Sequence, residues 1–136
     1  MTALVAASVN NAVYAGEEGN LSADLGLYTF AAGQIGDTVD LQTIPAGTQL
    51  LDLDIIFAAL GAGSTLSFGW RYKDGSAGGS ATALLAATST AAAGVASASF
   101  TPITFLNTAI LYATIAGGAV TGELDTRTTY IYKGTL

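Results

Sequence analysis

The sequence predicts an all-β domain: a jelly-roll or related Greek-key β-sandwich with one short helix or an Ala-rich loop. Two runs, residues 51–57 and 66–72, alternate apolar and polar residues with the period of a strand that buries one face. Tight turns containing Gly or Pro separate these runs from their neighbours, so the strands between them are short. About six to eight such strands, with hardly any helical pattern, favour a sandwich.

The two alternating runs predict which side chains form the core. The first run places four apolar side chains on one strand face: Leu51, Leu53, Ile55 and Phe57. The second run places its largest side chains on one face in the same way: Leu66, Phe68, Trp70 and Tyr72. The apolar face of a half-buried strand points into the core. We therefore expect a buried set that includes Leu53, Ile55, Phe57, Phe68 and Trp70.

The chain before these runs divides into an N-terminal segment and the start of the main domain. Residues 1–20 mix small residues with valines and end in a polar turn at 16–20, which indicates an arm, an edge strand or a loosely held terminus. Residues 21–136 are expected to form a single β-sandwich domain. Its first strand has Leu25 and Leu27 on one face and Phe30 on the other, which suits a strand that is buried on both sides or lies at a subunit contact.

Turn residues predict where the following strands end. A strand at 38–44 is closed by Pro45, which has no N–H to donate to a ladder. Residues 61–63, Gly-Ala-Gly, predict a hairpin turn, and Asp74-Gly75 predicts a further reversal. Runs at 104–116 and 119–134 predict a closing pair of strands.

Residues 75–99 are low in complexity and lie between these groups of strands. We expect a loop with one short helix over 83–93, capped by Thr82 and ended by Gly94 in a left-handed conformation. An Ala-rich helix of this length is marginal alone, so it would depend on docking through Leu84 and Leu85. Disorder is the alternative interpretation.

The composition argues against several classes of partner. Charged residues make up 10% of the chain, against about 25% in typical domains, which suggests a surface partly covered by partners. The net charge of −6 disfavours direct nucleic-acid binding, because phosphate neutralisation needs clustered basic residues. The chain has four of them: Arg71, Lys73, Arg127 and Lys133. No apolar run reaches the roughly 18 residues of a membrane span, and no basic segment of a secretory signal is present. We expect a protein made in the cytoplasm with no membrane partner.

The sequence gives no reason to assign catalytic, metal-binding or cofactor-binding residues. His and Cys are absent, which removes the commonest general base, the thiol nucleophile and any disulfide. The acids that remain are Asp37, Asp40, Asp52 and Asp54. A glycosidase needs two carboxyls that face each other across a cleft, and the Asp-Leu-Asp spacing has no calcium-loop signature. A solvated or partner-facing polar strip is the simpler interpretation.

Two further patterns have structural explanations. The Gly-rich residues 61–65 lack the Gly-Lys-Ser/Thr ending of a phosphate-binding loop. Trp70 and Tyr72 would form a sugar-binding platform if they were exposed, but their strand pattern favours burial.

Three stretches carry a resemblance to a known group of proteins. The first contains the polar strand 38–44, which is closed by Ile-Pro-Ala-Gly-Thr, and the Gly-rich turn that precedes Leu-Ser-Phe-Gly-Trp. The second is the small-residue block 83–94, and the third is residues 110–132. Together they resemble the head decoration, or cement, proteins of tailed bacteriophages, especially those of Bordetella-phage type. The resemblance implies a jelly-roll homo-oligomer that binds the outer capsid surface and bridges major capsid protein subunits. We expect this oligomer to be a dimer. The resemblance implies no active site, cofactor or metal.

Other functional classes stay open on the sequence. A tail or fibre component of a virion would keep the same sandwich. A carbohydrate-binding module would expose Trp70 and Tyr72 in a groove, and a small glycosidase would use the acids named above.

Overall fold

Two β-sheets with a shared core make up the computed structural model, which describes residues 2–10, 21–98 and 100–134. The strands in chain order are β1 (Ala3–Val5), β2 (Leu21–Gly33), β3 (Thr38–Ile44), β4 (Thr48–Phe57), β5 (Thr65–Tyr72), β6 (Leu85–Ser89), β7 (Gly94–Ser97), β8 (Ile103–Thr104), β9 (Ala109–Ala116) and β10 (Val120–Tyr132). A short 3-10 helix, Ala7–Asn10, follows β1. Sheet I has the order β1-β3-β9-β5-β6, and sheet II has the order β2-β10-β4-β7, with β8 beside β4.

The strand order is that of a jelly roll. Without β1 and β8, each sheet has four strands, and every neighbouring pair among them is antiparallel. The late strands return between early ones, because β9 lies between β3 and β5 while β10 lies between β2 and β4. This arrangement is typical of two Greek keys in a double-sheet sandwich. The predicted all-β, jelly-roll fold is confirmed.

The predicted turns are present, but two of them connect different strands from those expected. Strand β3 has the predicted limits and ends at Pro45. The reversal at residues 61–63 joins β4 of sheet II to β5 of sheet I, so the prediction of a hairpin was wrong. The turn at Gly117 likewise joins β9 to β10 across the sandwich, so the prediction that these two strands pair with each other was wrong. These turns contact each other, and a Cβ on Gly117 would clash with the Gly63 carbonyl, while Gly63 has a φ of 71°, which favours glycine.

A β-bulge in β4 changes which leucine enters the core. Tyr130 pairs with Leu50 and the preceding Thr129 pairs with Asp52, so Leu51 is the extra residue. Leu50 is therefore fully buried while Leu51 is partly exposed. The prediction that Leu51 shares the inner face was wrong for this reason.

The other core predictions fit the structure closely. Four of the five expected residues are buried: Leu53, Ile55, Phe57 and Phe68. Trp70 is partly buried and packs against the core. Both sheets supply the largest fully buried apolar side chains, among them Phe30, Ile44, Leu50, Leu66, Phe105, Ile115 and Leu124.

The predicted helix at 83–93 is wrong, because these residues form strand β6 and the turn that follows it. Phe68 of β5 pairs with Leu85, and the N–H of Leu84 donates to the Phe68 carbonyl at 3.0 Å. A ladder therefore satisfies backbone groups that a short, marginal helix would have to satisfy alone. Gly94 begins β7 and has no positive φ, so it is not a helix cap. This segment is neither a helix nor a disordered linker.

The N-terminal residues form the edge of sheet I. Strand β1 pairs in parallel with β3, and the 3-10 helix that follows it contacts β3. The predicted polar turn at 16–20 lies outside the described residues. No helix in the described ranges has the length and apolar character needed to cross a membrane.

Candidate docking face

The outer face of sheet II carries an apolar stripe. Leu21, Leu25 and Leu27 of β2 are 67%, 66% and 53% exposed. Val95 of β7 is 64% exposed on the same sheet. An antiparallel sheet usually presents polar residues to water on its outer face. The prediction of apolar residues on both faces of β2 is confirmed, since Phe30 on the inner face is buried and the outer leucines are each more than half exposed.

A groove of about 340 Å³ lies within this outer face. Its lining comes from β2, β4 and β10: Leu25, Gly26, Leu27, Ile56, Glu123, Asp125, Thr126 and Arg127. The strand register places Asp125 between Leu27 on one side and Ile56 on the other. The groove therefore combines apolar walls with an acidic centre. We refer to these residues, together with Leu21 and Val95, as the docking face.

Arg127 and Asp54 form an ion pair on this sheet. Arg127 donates to Asp54 Oδ2 at 3.0 Å, and the Ser97 hydroxyl donates to Asp54 Oδ1 at 2.8 Å. The hydrogen bond from Ser97, followed by that from Arg127, lowers the pKa of Asp54, because both stabilise the charged carboxylate. Arg127 is thus already engaged by a carboxylate outside the groove.

Asp125 is different from its neighbours in having an unsatisfied oxygen. Its Oδ1 is buried and accepts no hydrogen bond from any of the described residues. Glu123, two residues earlier, is exposed on the same face. Among the groove's lining residues, two acids therefore face one arginine, and that arginine is paired with Asp54.

The structure does not bring the four acids predicted from the sequence into one cleft. Asp37 and Asp40 belong to sheet I and its preceding turn, whereas Asp52 and Asp54 belong to β4 in sheet II. Asp52 is exposed, and its Oδ1 accepts the Leu53 N–H at 2.8 Å. No group of three His, Cys, Asp or Glu residues suited to a metal ion occurs in the described parts of the chain.

Asp37 has a structural role at the N-terminal edge. Its two carboxylate oxygens accept the N–H groups of Thr2 at 2.8 Å and Gln34 at 3.1 Å. These two hydrogen bonds, the one from Thr2 first, lower the pKa of Asp37. The carboxylate thus ties the residue before β1 to the turn before β3.

Asp40 also has a partner. Arg71 of β5 donates two hydrogen bonds to its carboxylate, at 2.9 and 2.7 Å, and lies 5.0 Å from the centre of the Tyr112 ring. The hydrogen bonding to Asp40 raises the pKa of Arg71. This group spans β3, β9 and β5 on the outer face of sheet I and holds their register.

Trp70 and Tyr72 do not form a flat platform. Their rings meet edge to face, with centres 5.0 Å apart at 72°, and Trp70 makes a similar contact with Phe105 at 4.9 Å. The backbone of Gly78 lies against both rings, since a Cβ there would be 2.8 Å from Tyr72 and 3.1 Å from Trp70. The pair is packed under a glycine-containing loop, which leaves it unsuited to stacking on a sugar.

Sequence reasoning missed two groups of polar residues. One is inside the sandwich, where the buried Gln42 amide donates to Asp24 Oδ2 at 2.8 Å and to Thr128 Oγ1 at 3.1 Å. A bulge between Asp40 and Gln42 turns that glutamine inward. The other is the acidic centre of the groove around Asp125. Alternation along β10 predicts that Glu123, Asp125 and Arg127 share one face. It does not predict that this face lies beside the leucines of β2, which is about a hundred residues earlier in the chain.

The fold is shared with chains of several virus capsids. A chain of the capsid of Ralstonia phage GP4 has a TM-score of 0.78 at 16% identity, over 98% of this chain and 99% of that chain. A chain of the cyanophage Pam1 capsid asymmetric unit gives 0.62 at 24% identity, over 89% and 91%. A chain of the acid-stable capsid of Helicobacter pylori bacteriophage KHP30 gives 0.61 at 13% identity, over 88% and 93%. No protein-family model and no curated protein matches the sequence. At these low sequence identities the comparison shows a shared fold and no more. This chain has the same overall architecture as chains found in phage capsids.

Proposed function

We propose that this chain is a structural virion protein of a bacteriophage, a decoration or cement protein that binds the outer capsid surface. In this proposal it bridges neighbouring major capsid protein subunits and stabilises the head. The observation that carries the proposal is the overlap with a chain of the Ralstonia phage GP4 capsid, which extends over 98% of this chain and 99% of that one. The resemblance of residues 38–75, 83–94 and 110–132 to cement proteins supports the same function independently.

Charge supports a position on the outside of the shell. An inner position would face packaged nucleic acid, and a chain of net charge −6 would be repelled by its phosphates. Of the four basic residues, Arg71 and Arg127 are already paired with Asp40 and Asp54. A partner made of protein fits this surface better than nucleic acid does.

The docking face supports attachment to another protein. Exposed apolar side chains that form a contiguous patch are typical of interaction surfaces. A stable interface buries at least about 1,000 Å² in total, and each bridge formed by a cement protein should reach that size. A protein that binds the assembled shell and not its free subunits stabilises the shell by mass action, and many copies act together.

No catalysis, cofactor or metal forms part of this proposal. The acids on which a hydrolase would depend, Asp37, Asp40, Asp52 and Asp54, all hold hydrogen bonds inside the fold. We propose instead that the chain acts only by binding, after synthesis in the host cytoplasm.

Self-association is a second part of the proposal. We expect a homo-oligomer, most simply a dimer, formed through sheet edges such as β1 rather than through the docking face. Two copies joined through that face would bring Glu123 and Asp125 of each copy together without a free cation from the face itself. Light scattering on the purified protein measures its mass directly.

Reconstitution tests the function. Expanded heads that lack this chain should bind the purified protein, co-sediment with it, and withstand higher temperature before releasing their nucleic acid. A density map of the decorated heads should place the chain on the outer surface between capsid subunits. Failure to bind, or recovery of the chain only from tails, would replace this proposal with that of a tail or fibre component.

A further inference from the structure

At the acidic centre of the docking face, one carboxylate oxygen lacks a hydrogen-bond donor among the described residues. Asp125 Oδ1 is buried without a hydrogen-bond donor among the described residues, although a buried polar atom ordinarily has a partner. The residues on either side across the sheet, Leu27 and Ile56, supply no donor side chain. Asp125 as a whole is partly exposed and lines the groove, so a partner seated in the groove can reach this residue.

None of the basic side chains in the described residues donates to Asp125 Oδ1. Arg127 is the basic residue in the groove's lining, and its guanidinium is bonded to Asp54, whose other oxygen is bonded to Ser97. Arg71 is paired on the opposite sheet. The two lysines, Lys73 and Lys133, follow the ends of β5 and β10 and do not line the groove.

The same charges identify the kind of occupant. A second copy would bring Glu123 and Asp125 against the identical acids, or against an arginine that is already paired. A nucleic acid would add phosphates to this acidic surface. A protein segment with one basic side chain between apolar residues would satisfy both the charge of the groove and its leucine walls.

Resting on the proposed function, we propose that the groove is the capsid-binding site of this chain. It receives a segment of the shell protein that places one Lys or Arg side chain on Asp125, with Glu123 as a second acceptor. Apolar residues that flank this basic side chain pack on Leu25, Leu27 and Ile56. The basic residue fixes the register, and the apolar contacts supply area. Asp125 is thus a specificity-determining residue for the shell.

Paired substitutions test the site. Asp125→Asn removes the charge and keeps the size of the side chain, and Asp52→Asn makes the same change on the same sheet outside the groove lining. Affinity for heads should fall at least about tenfold for Asp125→Asn and stay within about twofold of the wild type for Asp52→Asn. The affinity of Asp125→Asn should also depend less steeply on salt, because one charge-assisted contact is lost. Leu25→Ser, at an exposed position, should weaken binding without changing the salt dependence.

Stability of the free protein separates binding from folding. Because Asp125 Oδ1 has no donor in the described structure, Asp125→Asn should leave the melting temperature of the free domain unchanged or raise it. A lowered melting temperature together with unchanged binding would show that Asp125 is a structural residue and would overturn the inference. If wild-type protein binds heads and Asp125→Asn binds equally well, the inference alone is wrong. If wild-type protein does not bind heads, the proposed function fails and the inference fails with it.

Discussion

Replacing each of two adjacent leucines by alanine tests the bulge in β4. The alternating pattern predicts that Leu51 is in the core, whereas the structure buries Leu50 completely and leaves Leu51 partly exposed. Leu→Ala removes three carbon atoms, worth about 0.8 kcal/mol each on burial, or roughly 2.4 kcal/mol in all. At Leu50 a cavity adds to this cost, since its neighbours in the sheet are Tyr130 and Ile103 and the side chain is enclosed. We expect a loss of about 3–4 kcal/mol for Leu50→Ala, within the usual range for buried leucines.

The same change at Leu51 should cost less, about 1–1.5 kcal/mol, because that side chain is partly exposed and its truncation leaves no enclosed cavity. Urea unfolding at fixed pH measures both free energies, and the two variants serve as matched controls for each other. For a chain of this length the difference corresponds to a gap of roughly 8 °C between their melting temperatures. A larger loss at Leu51 than at Leu50 would refute the bulge and restore the simple alternation. Equal losses would refute the assigned faces altogether.

Three further predictions concern separate parts of the domain. Because the pKa of Asp37 is lowered, this carboxylate stabilises the fold at pH values above the usual carboxyl pKa of about 3.9. That stabilisation is lost as the pH falls through the lowered pKa. Acidification, or Asp37→Asn at pH 7, should therefore reduce amide-exchange protection in β1, next to Thr2. Gln42→Leu should cost about 1–3 kcal/mol in urea unfolding, because the carboxylate of Asp24 loses its amide donor. Phe57→Ala should cost about 3–5 kcal/mol, since Phe57 is 8% exposed.

Each of these predictions has a control of the same type. Asp74→Asn, at an exposed turn, should not change the protection of β1, and unchanged protection in Asp37→Asn would contradict the anchoring role. Gln49→Leu, at a partly exposed position of β4, should change stability by no more than about 0.5 kcal/mol. Leu106→Ala, which is 65% exposed, is the control for Phe57→Ala, and a loss below about 1 kcal/mol at Phe57 would contradict its placement in the core.

Local sequence patterns predicted much of the fold because several of its causes are local. Pro45 ends β3 where the pattern indicates, and the alternation in 66–72 orients Leu66 and Phe68 correctly. The partner of each strand is not a local property. The turn at residues 61–63 looks the same whether the next strand pairs with β4 or crosses to the other sheet.

Bulges and long-range ladders account for the remaining errors. A single extra residue in β4 puts Leu50 rather than Leu51 in the core. No residue type in the sequence marks the position of this bulge. The 83–93 segment has helical composition, but pairing with β5 outweighs that weak preference. The acidic centre of the docking face escaped notice for a related reason. Asp125 gains its leucine walls from β2, and that register depends on the whole assembled sheet.

The central place of β10 in sheet II has a consequence for synthesis on the ribosome. Strands β2 and β4 leave the ribosome long before β10, yet both of them pair with it in the finished sheet. Until β10 emerges, the two earlier strands have open edges that are able to pair with other chains. Pairing strands that are far apart in the sequence also slows folding, so this domain should fold on the slower timescale of β-sandwiches. Chaperone dependence should consequently fall sharply only once residue 132 has left the exit tunnel.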